Sequence, residues 1–136
     1  MIVREGKSVF KGVAIGKIFV YKKADNAVKK ETVADTAAEM ARFEAAKDKA
    51  LGQLKGLYEK ALKDVGEEEA MIFDVHQMLL DDPDYNDSIK DIIENEKMNA
   101  EYAVFMTSEQ FAAMFLSMDD DYMRGRAADI KDISER

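Results

Sequence analysis

One proline and a long glycine-free interval constrain this chain more than any other feature. Among 136 residues, proline occurs only at Pro83, and no glycine falls between Gly66 and Gly125. Proline and glycine are the residues that most readily end or break a helix. A chain so sparing of both runs as long helices. Each helix must then bury its apolar stripe against another.

The stripes follow in order. Thr32 to Asp35 reads as a capped start with an acidic group in the first turn. Met40, Phe43, Ala50, Leu54, Leu57 and Ala61 then recur at helical spacing, on one side of a helix of roughly 30 residues that ends near Gly66. Glu67, Glu68 and Glu69 open the second helix, carboxylates at the positive end of its dipole. Ile72, His76, Leu79 and Leu80 share one face, and the helix stops or kinks before Pro83. Asp82 and Pro83 read as an N-cap and an N1 proline. Tyr85, Ile89, Ile92 and Ile93 form the next stripe. Asn99 caps a helix burying Ala103, Val104, Phe111, Met114, Phe115 and Met118. Asp119, Asp120 and Asp121 start the last one, whose apolar face is Met123, Ala127, Ile130 and Ile133. The expected fold is mainly α: a four-helix bundle of two helical hairpins, the second helix kinked near Pro83.

The first 22 residues read differently. Lys17 to Tyr21 is a short apolar run rich in β-formers, preceded by Gly12 and Gly16, and Ser8 to Phe10 is a candidate second strand. One or two strands do not make a stable sheet alone. The expectation is therefore one or two N-terminal β-strands (1–22) from an incomplete α/β domain, followed by a helical domain (24–136).

Composition narrows the function classes. The formal charge of −8 argues against binding driven by phosphate neutralisation, hence against nucleic acid, and favours solubility or a basic partner. No apolar run reaches the roughly 20 residues that span a bilayer. The absence of cysteine excludes a disulfide scaffold and fits a reducing cytoplasm. Nine methionines supply either core filling or adaptable apolar surface.

His76 is the only histidine, and so the only side chain with an ordinary pKa near neutrality. It is either a half-buried structural residue or a functional one. A di-iron bundle needs Glu-x-x-His pairs, but Phe73 stands three residues before His76. No second histidine exists for a histidine-based zinc site. Phosphate-cradling glycine motifs are absent. The acidic clusters at 81–84 and 119–121 lack the alternation and glycine of a calcium loop and sit where helices start. Tyr122, Arg126 and Asp129 share one helical face. That stripe has the makeup of an interface hot spot, or of an ordinary helical charge pair.

Four stretches together resemble one family. They are Gly12 to Lys17; Glu67, Glu68, Ile72, Phe73, His76, Met78, Leu79, Leu80 and Asp82; Asn99 to Glu101; and Met118 to Asp132 with Tyr122, Arg126 and Asp129. In that order and spacing they resemble the N-terminal region of enzyme I of the phosphoenolpyruvate:sugar phosphotransferase system. The family usually has Ala-Ser-Pro-Gly before its first strand; here Phe10 and Lys11 precede Gly12.

The resemblance implies a phosphotransferase that passes a phosphoryl group from phosphoenolpyruvate, through a histidine, to the carrier HPr. It implies that 24–136 match the helical HPr-docking part and 1–22 the first strands of the swivelling α/β part. No match to the family's Gly-Gly-x-x-Ser-His acceptor motif occurs, so His76 falls on the carrier-facing helix and no catalytic residue is expected here. The implied docking residues are Glu67, Glu68, Met71, His76, Met78, Leu79, Asp82, Tyr85, Phe115, Tyr122, Met123 and Arg126, with Tyr85 and Phe115 more aromatic than the family's usual choice. Magnesium and a homodimer are implied for the full-length parent; no cofactor or metal and a monomer are expected for this stretch. The competing reading is a non-enzymatic helical adaptor.

Overall fold

Asp35 starts the first helix. Its carboxylate accepts the Ala38 N–H at 2.9 Å, the bond an N-cap makes. The computed structural model describes residues 12, 13, 15–17, 19, 20 and 27–136. Within it, α1 spans Thr36–Asp64, α2 Glu67–Leu80, α3 Pro83–Asn95, α4 Ala100–Leu116 and α5 Asp121–Ser134. Thr32, expected at the cap, instead forms an isolated antiparallel bridge with Met98. The extended segment around it is tied to the α3–α4 turn, where Asn99 N–H donates to the Glu31 carbonyl and Val33 N–H to that of Lys97.

The described residues form five helices, not four with a kink. Asp82 is extended (φ −61°, ψ 126°) and accepts the Tyr85 N–H at 3.0 Å. Pro83 disfavours helical backbone at Asp82 and occupies N1, where no N–H is missed. Asn86 completes the break: its side-chain amide donates to the carbonyls of Leu80 (3.0 Å) and Asp82 (2.7 Å). With both sides satisfied, two helices are more favourable than one bent one.

The strand expectations fare differently. Ser8 to Phe10 lie outside the described residues, as do Ile18 and Tyr21. Lys17, Phe19 and Val20 are described and exposed, and none is in a strand. Among the described residues no strand is formed.

α1 and α2 form one hairpin, turned at Gly66, whose φ of +120° suits only glycine well. α4 and α5 form the second, and α3 joins α1 to α4. The core where they meet holds Leu54, Tyr85, Ile89, Ile93 and Ile130, all fully buried. The stripes of α3 and α5 face inward as expected, as do Met40, Phe43, Ala50 and Leu54 of α1, while Leu57 and Ala61 are half-buried outside the core cluster. Ile72 and Met114 do not face inward: both are exposed, and Ala70 and Phe73 occupy the inner side of α2 in place of Ile72. No described helix is long and apolar enough to cross a membrane.

Candidate functional site

α2 presents two faces of opposite character. Ala70, His76 and Leu80 turn inward. Met71 (56% exposed), Ile72 and Met78 (68%) turn outward. Glu67 and Glu68 stand exposed in the first turn above them, where the helix dipole favours carboxylates. The outer face is thus an apolar, methionine-containing stripe headed by acids. Near its far end Met78 lines an open groove of about 410 Å³ with Leu51, Gly52, Lys55, Gln77 and Asp81.

His76 reaches the neighbouring helix. Its ring is buried, edge-on to Phe73, and Nε2 lies 3.2 Å from Asp129 Oδ1 on α5. An ionised carboxylate only accepts, so the proton of that bond sits on Nε2. The other oxygen of Asp129 accepts from Arg126 Nη1–H at 2.8 Å. Arg126 also donates to the Tyr122 hydroxyl, and its guanidinium carbon stands 4.4 Å from the Tyr122 ring centre. Partial burial disfavours the Arg126 charge, yet the bonds to Asp129 and Tyr122 outweigh it and raise its pKa above the ordinary value. A continuous polar chain therefore runs from the buried ring of His76 through Asp129 and Arg126 to Tyr122, which is 67% exposed.

The expected site residues are distributed unequally. Glu67, Glu68, Met71, Met78 and Tyr122 are exposed, and Arg126 is partly so. Leu79 and Met123 are half-buried against the core. Asp82 spends its carboxylate on the α3 cap. Tyr85 and Phe115 are buried, so neither is at the surface of the chain. Tyr85 is engaged inside: Ser134 gives its one proton to the Ile130 carbonyl, so the Tyr85 hydroxyl donates to Ser134 Oγ at 2.6 Å. Burial pushes the Tyr85 pKa up.

Spacing placed Asp129 on the stripe of Arg126, but nothing in the sequence paired it with His76, 53 residues away. Ile72, placed on one face with His76, Leu79 and Leu80, is exposed, whereas His76 and Leu80 are buried. Among the described residues no group of three or more His, Cys, Asp or Glu is placed to hold a metal ion.

Comparison with known proteins places the chain. A family model described as "PEP-utilising enzyme, N-terminal" matches residues 5–126. Phosphoenolpyruvate-protein phosphotransferases from Bacillus sp. (strain S) and Geobacillus stearothermophilus are each 44% identical over 131 residues, which is 96% of this chain but 23% of theirs. The chain thus spans a little under a quarter of the length of these curated relatives. An NMR solution structure of Enzyme I superposes with a TM-score of 0.78 at 33% identity, covering 88% of this chain and 49% of that one. The N-terminal domain of Enzyme 1 – Nitrogen superposes with a TM-score of 0.74 at 26% identity, covering 80% and 45%. With its sequence, its helical hairpins and its family match in agreement, the chain belongs to the N-terminal family of PEP-utilising enzymes and is homologous to the N-terminal domain of enzyme I.

Proposed function

We propose that this chain is the carrier-docking module of a phosphoenolpyruvate-protein phosphotransferase, with the outer faces of α2 and α5 receiving the small phosphocarrier HPr. The observation that carries this reading is the exposed stripe of Met71, Ile72 and Met78 below the carboxylates of Glu67 and Glu68. Adaptable apolar side chains supply contact area. The carboxylates and the net charge of −8 speed encounter with a basic partner. A modest face with a polar rim suits a partner that must leave after each turnover.

On this reading Glu67, Glu68, Met71, Met78, Tyr122 and Arg126 meet the carrier. His76, Leu79, Asp82 and Met123 support them from behind, and Tyr85 and Phe115 act from the core. On this reading His76 braces the face and does not accept a phosphoryl group, an assignment supported by its burial and by the engagement of Nε2 with Asp129. The parent activity on this proposal is cytoplasmic phosphoryl transfer from phosphoenolpyruvate to HPr, with the acceptor histidine in an α/β part begun by residues 1–22. Homology to the N-terminal domain of enzyme I favours this over a free-standing adaptor.

Titration of isotope-labelled chain with HPr tests the proposal. Amide shifts on the outer face of α2 and near Tyr122 and Arg126 are expected between micromolar and millimolar carrier. No perturbation up to millimolar carrier overturns it. Phosphoenolpyruvate should leave His76 unphosphorylated; a phosphohistidine there refutes its assignment to docking.

A further inference from the structure

Asp129 lies on none of the exposed faces just described, yet the His76 and Arg126 contacts of the site both converge on it. One oxygen holds the His76 ring of α2 and the other holds the Arg126 guanidinium of α5. Both side chains of the Arg126–Asp129 pair are well sheltered, at 14% and 17% exposure. Arg126 is held at two points: Asp129 at Nη1 and the Tyr122 hydroxyl at Nη2, with the cation over the Tyr122 ring. A guanidinium carries five N–H donors in a fixed plane. Two are engaged by these residues, and among the described residues the others remain for an acceptor on an incoming protein. Fixing the plane beforehand removes the rotamer cost of ordering a long side chain on binding.

We propose that Asp129 is the positioning residue of the docking face: braced by His76, it fixes Arg126 against Tyr122 in the orientation that an acceptor group of the carrier reads. This rests on the docking reading. Asp129 itself is not required to touch the carrier. Its position at the α2–α5 contact links the buried ring of His76 on one helix to the sheltered Arg126 and the exposed Tyr122 on the other. Removal of the ionised acceptor frees the guanidinium to turn about Nε–Cζ, and the carrier then has to order it.

The test uses the full chain, with Asp129→Asn, Arg126→Lys and the double substitution. Two readouts are taken: rotation of the Arg126 guanidinium by NMR in the free protein, and carrier affinity by titration. In the unaltered chain rotation is expected to be slow, giving separate Nη signals, and in Asp129→Asn averaged. Asp129→Asn is expected to weaken carrier binding about tenfold with Arg126 present and to change it less than twofold in the Arg126→Lys background. A purely structural role for Asp129 gives equal losses in both backgrounds, which overturns the inference while leaving docking intact. Unchanged guanidinium signals in Asp129→Asn overturn it as well. Absence of carrier binding by the unaltered chain overturns the docking reading, and the inference with it.

Discussion

His76 shows how far one side chain's role depends on what faces it. An exposed docking histidine would be replaceable by alanine without loss of stability. The ring observed is 7% exposed, packs edge-on to Phe73 and donates to Asp129. His76→Ala removes buried ring volume and takes one donor from a sheltered carboxylate. We expect it to lower unfolding free energy by about 2 kcal/mol, the sum of a modest cavity and a lost charge-assisted bond. Urea unfolding at neutral pH measures this directly, and a loss below about 0.5 kcal/mol would show that the ring contributes little to packing. Tyr85 illustrates the opposite outcome. Its ring stands at right angles to Phe111, 5.4 Å between centres, and its hydroxyl is spent on Ser134.

At the scale of elements, glycines divide into two kinds. Gly52 and Gly56 lie within α1, and a Cβ built at either meets nothing within 4 Å. Their flexibility serves no packing purpose in the fold. Gly52→Ala and Gly56→Ala should each stabilise the chain by about 0.5–1 kcal/mol, the ordinary helix preference for alanine. Gly66 is different, because its φ of +120° makes the α1–α2 turn. Gly66→Ala should destabilise by about 1–2 kcal/mol through backbone strain. Thermal melts of the three variants give opposite signs on this account, and a destabilising Gly52→Ala would reveal a contact on the groove beside Met78. The α2–α3 break follows the same logic of local satisfaction, since Asp82 and Asn86 supply the groups that the interrupted helix leaves unpaired.

For the whole molecule, the decisive contact ties the starts of α1 and α4. Arg42 donates to Glu101 through Nη1 and Nη2, each at 2.6 Å, and to Glu39. Glu39 in turn accepts the Ala100 N–H at 2.6 Å, capping a helix 61 residues away. The Arg42 bond, only partly opposed by desolvation, brings the Glu101 pKa down from 4.5 to about 2 and lowers that of Glu39 too. A carboxylate depressed in the folded state contributes stability that is fully present above its unfolded pKa. That contribution is lost as pH falls from about 4.5 through about 2. Arg42→Met should therefore cost stability at pH 7, on the order of 1 kcal/mol because Glu101 is more than half exposed and solvent screens the pair. The difference between variant and parent should shrink toward zero by pH 2. Denaturant unfolding at pH 7, 4 and 2 checks both statements, and a gap that persists at pH 2 would assign the Arg42 effect to packing instead.

What the sequence determined by itself was local. Pro83 after Asp82, Gly66 and the triple aspartate at 119–121 punctuate the chain, because caps and breakers act within a turn of where they stand; Asn99 stands at the start of α4, but its side chain makes no cap bond. The stripe of Tyr85, Ile89, Ile92 and Ile93 was equally legible, since helical period alone puts those residues on one side. Of the residues expected at a docking surface, Met71 and Met78 are exposed on α2, whereas Tyr85 and Phe115 lie inside. Only the tertiary structure decided which faces meet. Spacing reports what shares a helix face, not what another helix brings to it. α4 is so apolar around its circumference that Phe115 faces inward while Met114 faces out, without a signal to separate them. The pairing of His76 with Asp129 and the capping of α4 by Glu39 bridge 53 and 61 residues. Such contacts exist only once the hairpins have packed, so they belong to the fold and not to any segment of it.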